Sequence, residues 1–257
     1  MRPKADSESK SISGEDLAGE YYEETIARLH RVLRPKTYME IGVFAGATLA
    51  LASCPSIAVD PGFEITDPEI FAKILLRPQV SFYRMPSDDF FAAHDPREIL
   101  KAPVDMVFLD GMHRCEFLLR DFINTEKVCK TNSVVILHDC VPVDDGITAR
   151  VPHGRRGEGE QRSDWWTGDV WRTALLLKRR RPDLVVTALD ASPTGLVIIT
   201  NLDPSSRALS DSYQACVRDM MNWHIPEIGI EQLHAALGLE PTSGLMEDEQ
   251  ITARFWL

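Results

Sequence analysis

A glycine turn between two segments of different character constrains the fold of this chain more than any other feature. An apolar run suited to a strand reaches Gly42, and residues 45–53 have the composition of a helix. Glycines at positions 42 and 46 let backbone amides come close to a ligand. A second apolar run, residues 57–59, ends in Asp60. A carboxylate at the end of the second parallel strand is typical of an α/β sheet that binds a nucleoside.

The spacing of the glycines narrows the kind of ligand. Glu40, Gly42 and Gly46 form the pattern E-x-G-x-x-x-G. Dinucleotide-binding proteins use G-x-G-x-x-G instead, in which a third glycine stands where the pyrophosphate presses on the helix. The pattern therefore indicates a nucleoside ligand without a pyrophosphate.

Short apolar segments alternate with helical segments through the first half of the chain, and such alternation predicts a parallel sheet. Residues 184–189 and 195–200 are two further strands, and their connection is too short for a crossover helix, so this pair should be antiparallel. We predict an α/β fold with a Rossmann-like, doubly wound sheet that is mostly parallel, has an antiparallel last strand, and carries helices on both faces. The other predicted strands are 38–41, 56–59, 80–84, 105–109 and 133–137, and the helices between them are 45–53, 68–76, 87–93 and 115–129.

The chain divides into three parts. Residues 1–20 are polar and charged and are predicted to be a mobile leader. Residues 21–200 form the main domain, which begins with a helix whose apolar residues, Tyr22 among them, recur at helical spacing. Within it, residues 141–167 are rich in Gly, Pro, Arg and Asp and form a lid-like insertion. Residues 201–257 are a C-terminal extension with helical segments at 205–223 and 231–237.

Composition excludes several classes of partner. The net charge of -11 argues against nucleic acid, which requires a basic face. No apolar stretch is long enough to predict a membrane span. The five cysteines are odd in number and lack C-x-x-C spacing, so a reducing compartment is favoured and we expect a cytoplasmic protein. A small-molecule partner is therefore expected, and a homo-oligomer stays open.

Two later segments repeat the pattern of an apolar strand that ends in polar residues. Residues 104–113 read VDMVFLDGMH, and residues 134–139 read VVILHD. Together with the glycine turn and Asp60, these motifs resemble the class I S-adenosylmethionine-dependent methyltransferases, in the branch of small-molecule O-methyltransferases that includes sugar and macrolide enzymes. The resemblance covers roughly residues 38–200. It implies S-adenosylmethionine as the methyl donor and leaves open a divalent cation, Mg²⁺ or another.

The resemblance also implies which residues meet the cofactor. Glu40 and Gly42 are expected at its amino-acid portion, Asp60 at the ribose, and Ser87 or Asp88 near the adenine. For Ser87 and Asp88, capping of the following helix is an equal alternative. The complete set of expected cofactor residues is Glu40, Gly42, Gly46, Thr48, Asp60, Ser87, Asp88 and Asp110.

Four groups are candidates for the chemistry itself. Asp110 and Asp139 follow strands predicted to be neighbours, so their carboxylates can share a hard cation. Methyl transfer to oxygen requires loss of the acceptor proton, and a histidine has a suitable pKa for that step. His113 is the first candidate base, and His138 is the second, with hydrogen bonding across the strand ends as its alternative. Whether the enzyme uses a metal stays open.

The predicted insertion and the residues just after it supply candidate substrate contacts. Trp166 and Asp169 combine an aromatic ring with a carboxylate, which suits a sugar or another hydroxylated ring. Arg150, Arg155 and Arg156 can attract an anionic acceptor or simply be solvated.

These observations predict an S-adenosylmethionine-dependent O-methyltransferase for a hydroxylated small molecule, with a sugar-bearing metabolite as the first acceptor class. An NAD-dependent oxidoreductase is the alternative enzyme, although the third glycine is missing. A non-catalytic cofactor-binding or scaffold protein is the alternative outside enzymes.

Overall fold

The structure, a computed structural model, describes residues 14–152, 162 and 165–257. Its helices and strands in chain order are α1 (Tyr22–Leu33), β1 (Tyr38–Ile41), β2 (Ser56–Val59), α2 (Pro68–Leu75), β3 (Val80–Tyr83), α3 (Ser87–Ala93), α4 (Pro96–Leu100), β4 (Val104–Leu109), α5 (Cys115–Glu126), β5 (Cys129–His138), α6 (Trp171–Arg180), β6 (Val185–Leu189), β7 (Leu196–Thr200), α7 (Ala208–Asp211), α8 (Tyr213–Met221), α9 (Ile225–Ile228), α10 (Ile230–Leu237), β8 (Leu239–Glu240) and α11 (Asp248–Arg254). Three short 3-10 helices span Leu49–Leu51, Gly146–Thr148 and Thr242–Leu245.

The strands form one eight-stranded sheet in the order β3-β2-β1-β4-β5-β7-β6-β8. Strands β1 to β5 pair in parallel, whereas β7 runs antiparallel to both β5 and β6. The strand order reverses between β1 and β4, which is where ligands bind in open α/β sheets. The predicted Rossmann-like sheet with an antiparallel last strand is confirmed, and β8 adds an edge that the sequence did not predict.

Each central strand is buried on both faces. Along β4, Val107 and Leu109 belong to one apolar core, while Met106 and Phe108 belong to the other. Helices cover both sides of the sheet, so alternate side chains are equally buried and the strands are apolar throughout. This burial explains why continuous apolar runs marked the strands in the sequence.

Several predicted elements differ from the observed ones, among them the strand predicted at 133–137, which is observed as Cys129–His138. Residues 45–53 are not an α-helix: Phe44 and Gly46 have positive φ angles of 45° and 79°, and helical geometry is limited to the 3-10 turn Leu49–Leu51. Helix α5 ends at Glu126 rather than 129, because β5 already begins at Cys129. The predicted helix 205–223 is interrupted at Ser212, which gives α7 and α8.

The described part of the predicted leader, residues 14–20, contacts the main domain. Gly14 N donates a hydrogen bond to Val143 O at 2.7 Å, Gly19 N donates to Asp190 O at 3.2 Å, and the Glu20 carboxylate forms a salt bridge with Arg28. Residues 1–13 of the leader, and residues 153–161, 163 and 164 of the insertion, lie outside the described residues, as do Arg155 and Arg156. Within the described ranges, no helix is both long enough and apolar enough to span a membrane.

Candidate active site

Four parallel strands end in one row at the edge of the sheet. The pairing register aligns the last residues of β1, β2 and β4 with Leu137 of β5. Because the strands are parallel, the side chains that follow are brought to the same edge. The residues that directly follow this row are Gly42, Asp60, Asp110 and His138.

Two carboxylates and two imidazoles meet beyond β4 and β5. Nε2 of His113 lies 3.3 Å from Oδ1 of Asp110 and 3.3 Å from Oδ2 of Asp139. Nδ1 of His138 lies 3.2 Å from Oδ2 of Asp110. The structure therefore brings together all four residues that the sequence singled out for catalysis and metal binding.

Trp166 fixes the orientation of the His113 ring. Nδ1 of His113 lies 2.8 Å from the carbonyl oxygen of Trp166, and the two rings stack with centroids 4.7 Å apart. A carbonyl oxygen only accepts hydrogen bonds, so Nδ1 carries a proton and donates it. Nε2 is thereby left facing the two carboxylates.

The charges of the cluster are mutually dependent. Burial disfavours protonation of His113, but the carboxylates of Asp139 and Asp110 outweigh it and raise its pKa to about 9. His138 behaves alike, with burial opposed by Asp139 and Asp110, and its pKa is also raised to about 9. Burial alone would raise the pKa of Asp110, yet the two histidines lower it. His113 is thus mostly protonated at neutral pH without a cation, whereas the sequence suggested an unperturbed, neutral ring.

The cluster fits a divalent cation. Asp110, His113 and Asp139 each offer one ligand atom, and these atoms all lie within 4.8 Å of one another. Two carboxylate oxygens and an imidazole nitrogen suit a first-row transition ion, and the carboxylates suit Mg²⁺. The Nδ1–H···O=C hydrogen bond to Trp166 is the outer contact that commonly orients a metal-binding histidine. The sequence predicted the two carboxylates of this donor set and assigned His113 to proton transfer instead.

The glycine turn lies beside this cluster. Gly42 has a φ of 83°, and a Cβ atom at this position would lie 1.9 Å from the carbonyl oxygen of Asp110. Gly42 is therefore required by the close approach of the chain's own backbone. Asp60 accepts hydrogen bonds from the N–H groups of Val43 and Phe44 at 2.8 and 2.9 Å, and Gly62 N–H donates to its other oxygen at 2.6 Å. The Asp60 carboxylate thus links the loop after β1 to the loop after β2 through hydrogen bonds.

Glu40, which was expected at the amino-acid portion of the cofactor, has its side chain held within the fold. Its side chain is fully buried, and its two oxygens accept hydrogen bonds from Tyr38 Oη at 2.6 Å and Thr48 Oγ1 at 2.7 Å. Burial, partly offset by these two hydroxyls, raises the pKa of Glu40 to about 8. Glu40 and Thr48 therefore hold the turn from beneath the sheet edge, whereas Gly46 packs against Ile65 from the following loop.

The residues expected near the adenine both have partners in α5. Ser87 lies near Asp121, whose pKa is raised to about 7 mainly by burial. Asp88 forms a salt bridge with Arg120 at 2.7 Å. Their backbone lies at the start of α3, which follows β3.

Asp169 is a buried residue at the centre of an ion-pair network. Its side chain is 2% exposed, and Oδ2 lies 2.6 Å from both Arg150 and Arg172. Oδ1 accepts a hydrogen bond from the backbone N–H of Cys115 at 2.9 Å, at the first turn of α5. Arg150 also pairs with Glu116. The sequence recognised Asp169 as a candidate but gave no sign of this network.

A cavity of about 410 Å³ opens beside this network. It lies between the segment 145–150, the start of α6 and the start of α9, so the C-terminal extension contributes one wall. Cationic, anionic and apolar side chains are mixed along it. Its lining includes Arg150, Asp169, Trp171, Arg172, His224 and Glu227.

Two residues that contact the cluster were not predicted from the sequence. Tyr22 packs on His138 with ring centroids 4.2 Å apart, but its spacing in α1 marked it only as an apolar position. Thr194 donates a hydrogen bond from Oγ1 to Asp139 Oδ1, and no motif pointed to it.

Solved structures of several methyltransferases are similar to part of this chain. One is an O-methyltransferase from Bacillus cereus in complex with S-adenosylhomocysteine, with 13% identity and a TM-score of 0.49 over 69% of this chain and 79% of that chain. Another is the O-methyltransferase TomG of tomaymycin synthesis from Streptomyces achromogenes in complex with S-adenosylmethionine, with 16% identity and a TM-score of 0.47 over 70% of this chain and 78% of that chain. A third is an S-adenosylhomocysteine-bound methyltransferase from Podospora anserina, with 13% identity and a TM-score of 0.49 over 71% of this chain and 78% of that chain. A search of curated proteins finds no match to this chain.

The sequence itself matches one protein family. Residues 39–140 match the family described as "Methyltransferase domain". This range runs from the second residue of β1 to just past Asp139, and it includes the glycine turn, Asp60 and all four members of the His–Asp cluster. Over this range, which is less than half of the chain, the sequence is therefore similar to a methyltransferase domain.

Proposed function

We propose that the chain transfers a methyl group from S-adenosylmethionine to a hydroxyl oxygen of a small molecule. The observation that carries this proposal is the cluster of Asp110, His113 and Asp139 one strand away from the glycine turn. Methyl transfer to oxygen requires that the acceptor lose its proton and lie in line with the sulfonium methyl group. Adjacent strand ends supply both requirements at one edge of the sheet.

We infer that Asp110, His113 and Asp139 hold a divalent cation. The two carboxylates of this half-buried centre need a compensating positive charge, and without a cation the two histidines, whose pKa values are raised, provide it. A bound cation supplies that charge and favours the ionised form of an acceptor hydroxyl. The chain's own contribution is to fix Nε2 of His113 toward the carboxylates through Trp166, and to keep the centre half-buried from water.

A second arrangement without a cation gives His113 the role of base. It is supported by the same 3.3 Å contacts, but it requires His113 to lose a proton that both carboxylates stabilise. We therefore rank it below the cation-assisted reaction.

For the cofactor, we propose binding across the ends of β1, β2 and β4. Asp60 is the candidate for the ribose hydroxyls, Gly42 for the amino-acid portion, and the start of α3 with Ser87 and Asp88 for the adenine. Glu40, Gly46 and Thr48 support the turn from within. A ribose bound at Asp60 must share the Asp60 carboxylate with the backbone N–H groups that donate hydrogen bonds to it.

For the acceptor, we propose a hydroxylated and sugar-bearing molecule. Trp166, stacked on His113, is the candidate aromatic contact beside the reacting oxygen. The cavity beside Asp169 offers guanidinium donors, carboxylate acceptors and apolar surface, a mixture that suits a polyhydroxylated ring better than a simple anion. Its size is within the usual range for small-molecule sites.

We also infer a reducing compartment, the cytoplasm, because all five cysteines are buried free thiols. We propose that residues 21–200 form one domain, with an insertion at 141–167, and that residues 201–257 form a C-terminal extension. The extension contributes His224 and Glu227 to the cavity wall, so it belongs to the functional unit in this account.

An acceptor screen tests the proposed function. The full chain is incubated with S-adenosylmethionine and hydroxylated compounds, with sugars and glycosides represented, and formation of S-adenosylhomocysteine is measured with Mg²⁺ and with excess chelator. We expect turnover with at least one glycoside and none with the Asp139→Asn variant. Hydride transfer with NAD, or cofactor binding without turnover of any acceptor, would instead support the oxidoreductase or the scaffold alternative.

A further inference from the structure

The imidazole of His138 is held in an unusual way. It is 8% exposed, yet neither ring nitrogen makes a well-aligned hydrogen bond within the described part of the chain. Its closest polar neighbour is Asp110, at 3.2 Å from Nδ1. These contacts at Nδ1 do not fix the plane of the ring by themselves, so packing contributes to it.

Tyr22 provides that packing. It is the first residue of α1, and its ring lies 4.2 Å from the His138 ring between centroids, with 35° between the planes. Phe108 contributes a second aromatic contact at 5.8 Å. Burial and then the charge of Asp110 raise the pKa of Tyr22, so the phenol stays neutral close to the carboxylates.

The backbone around Tyr22 is joined to the turn between β6 and β7. Tyr22 N–H donates to Ser192 O at 3.0 Å, and Ser192 N–H donates to Glu20 O at 2.8 Å. Gly19 N–H donates to Asp190 O at 3.2 Å. We call these two paired segments, residues 19–22 and 190–194, the clasp.

The second segment of the clasp reaches the other end of the cluster. Thr194 is 3% exposed, and its hydroxyl donates a hydrogen bond to Asp139 Oδ1. The carbonyl oxygen of Thr194 accepts a hydrogen bond from Val141 N–H at 2.9 Å. Asp139 has a φ of 58°, a left-handed conformation that is uncommon for residues other than glycine and needs support from its surroundings. The clasp therefore touches both His138 and Asp139, which are consecutive in the chain.

We propose that Tyr22 and Thr194 are positioning residues of the methyl-transfer centre, and that the clasp holds the His138–Asp139 pair in register with Asp110. The inference rests on the proposed function, because it gives these residues a role in that reaction. It also assigns a function to the end of the segment predicted as a leader. The competing explanation is that Tyr22 merely extends the apolar face of α1 formed by Ile26 and Leu29.

A ring-specific substitution tests the ring contact on which the proposal depends. Tyr22→Phe keeps the stacked ring, whereas Tyr22→Leu keeps an apolar side chain and removes the ring. In the full chain with labelled histidines, the carbon-bound ring protons of His138, assigned by their loss in His138→Gln, report the ring current of Tyr22 by NMR. We expect Tyr22→Phe to preserve their shifts and Tyr22→Leu to move them.

Kinetics supply the second readout. Tyr22→Leu should lower kcat by roughly 10-fold to 100-fold, as expected for a small misplacement of a catalytic group, with S-adenosylhomocysteine affinity kept and Tyr22→Phe restoring the rate. Thr194→Val should act in the same way without removing any ring. Unmoved His138 signals in folded Tyr22→Leu, or wild-type kcat in both Tyr22→Leu and Thr194→Val, would overturn the proposal. Because the NMR shifts need no turnover, a failure of the proposed function is distinguished from a failure of this one.

Discussion

Nε2 of His113 lies 3.3 Å from Oδ2 of Asp139, although the two residues follow different strands of the sheet. The contact exists because β4 and β5 are parallel neighbours that end in register, and because Trp166 holds the other side of the His113 ring. Asp110 completes the group from the end of β4. Sheet geometry, a stacked indole and a backbone carbonyl thus assemble one polar centre in an apolar surrounding.

The first prediction concerns the cation. If Asp110, His113 and Asp139 bind it together, Mn²⁺ should bind the wild-type protein in a calorimetric titration, and Asp139→Asn should weaken binding strongly while S-adenosylhomocysteine affinity is kept. Asp203→Asn is a matched control, because Asp203 is exposed and follows β7 at the opposite edge of the sheet. Full turnover in excess chelator would remove the cation from the mechanism and leave Asp139 with a structural or acceptor-binding role.

The second prediction concerns the role of His113 in proton transfer and in cation binding. His113→Ala should lower kcat by roughly 10²-fold to 10⁴-fold, the usual effect of removing a proton-transfer group. In the cation-assisted reaction it should also weaken Mn²⁺ binding, whereas in the reaction without a cation Mn²⁺ is irrelevant to the rate. His94→Ala, in a histidine that lies outside the cluster at the end of α3, serves as the control. A wild-type kcat in His113→Ala would transfer the proton-accepting role to His138 or to solvent.

Much of the fold was predictable because its signals are local. Apolar runs bounded by glycine or polar residues marked β1 and β2 with their observed limits, and the short connection before β7 indicated its antiparallel direction. The turn after β1 was mispredicted because small residues such as Ala47 suit a helix, while the left-handed conformations of Phe44 and Gly46 depend on contacts made by distant residues. Strand β8 has two residues and no periodic signal.

The site was predictable where it lies directly after strands. Asp110, His138 and Asp139 follow apolar runs, so the rule for ligands at strand ends located them. Tyr22 and Thr194 were missed because they reach the cluster through pairing of segments far apart in the chain. Glu40 was expected to contact the cofactor because of its place in the motif, and only the structure showed Tyr38 and Thr48 using its two oxygens.

The third prediction concerns pH. Burial raises the pKa of Glu40 from its ordinary value of 4.5 to about 8, so the folded chain holds this proton more tightly than the unfolded chain. The stabilisation is fully present below about pH 4.5 and is lost as pH rises toward about 8. Glu40→Gln should flatten this part of the pH dependence in urea unfolding, and Glu64→Gln, at an exposed glutamate, should not. Identical pH profiles for wild type and Glu40→Gln would contradict the assignment.

The fourth prediction compares two glycines. Gly42→Ala places a Cβ atom against the Asp110 carbonyl at a φ of 83°, so it should reduce the free energy of unfolding by at least about 2 kcal/mol. Gly62→Ala meets no atom within 4 Å and should change it by less than about 0.5 kcal/mol. Equal thermal stability of the two variants would mean that the turn does not need glycine at position 42.

Calorimetric titration with S-adenosylhomocysteine tests the central claim most directly, because it asks whether the nucleoside site lies at the ends of β1, β2 and β4. The wild-type protein should bind, and Asp60→Ala should weaken binding by about 1.5 to 3 kcal/mol, the cost of losing a charged acceptor. Asp203→Ala should leave the affinity unchanged. Absence of binding to the wild-type protein, or equal affinity in a folded Asp60→Ala variant, would contradict the account.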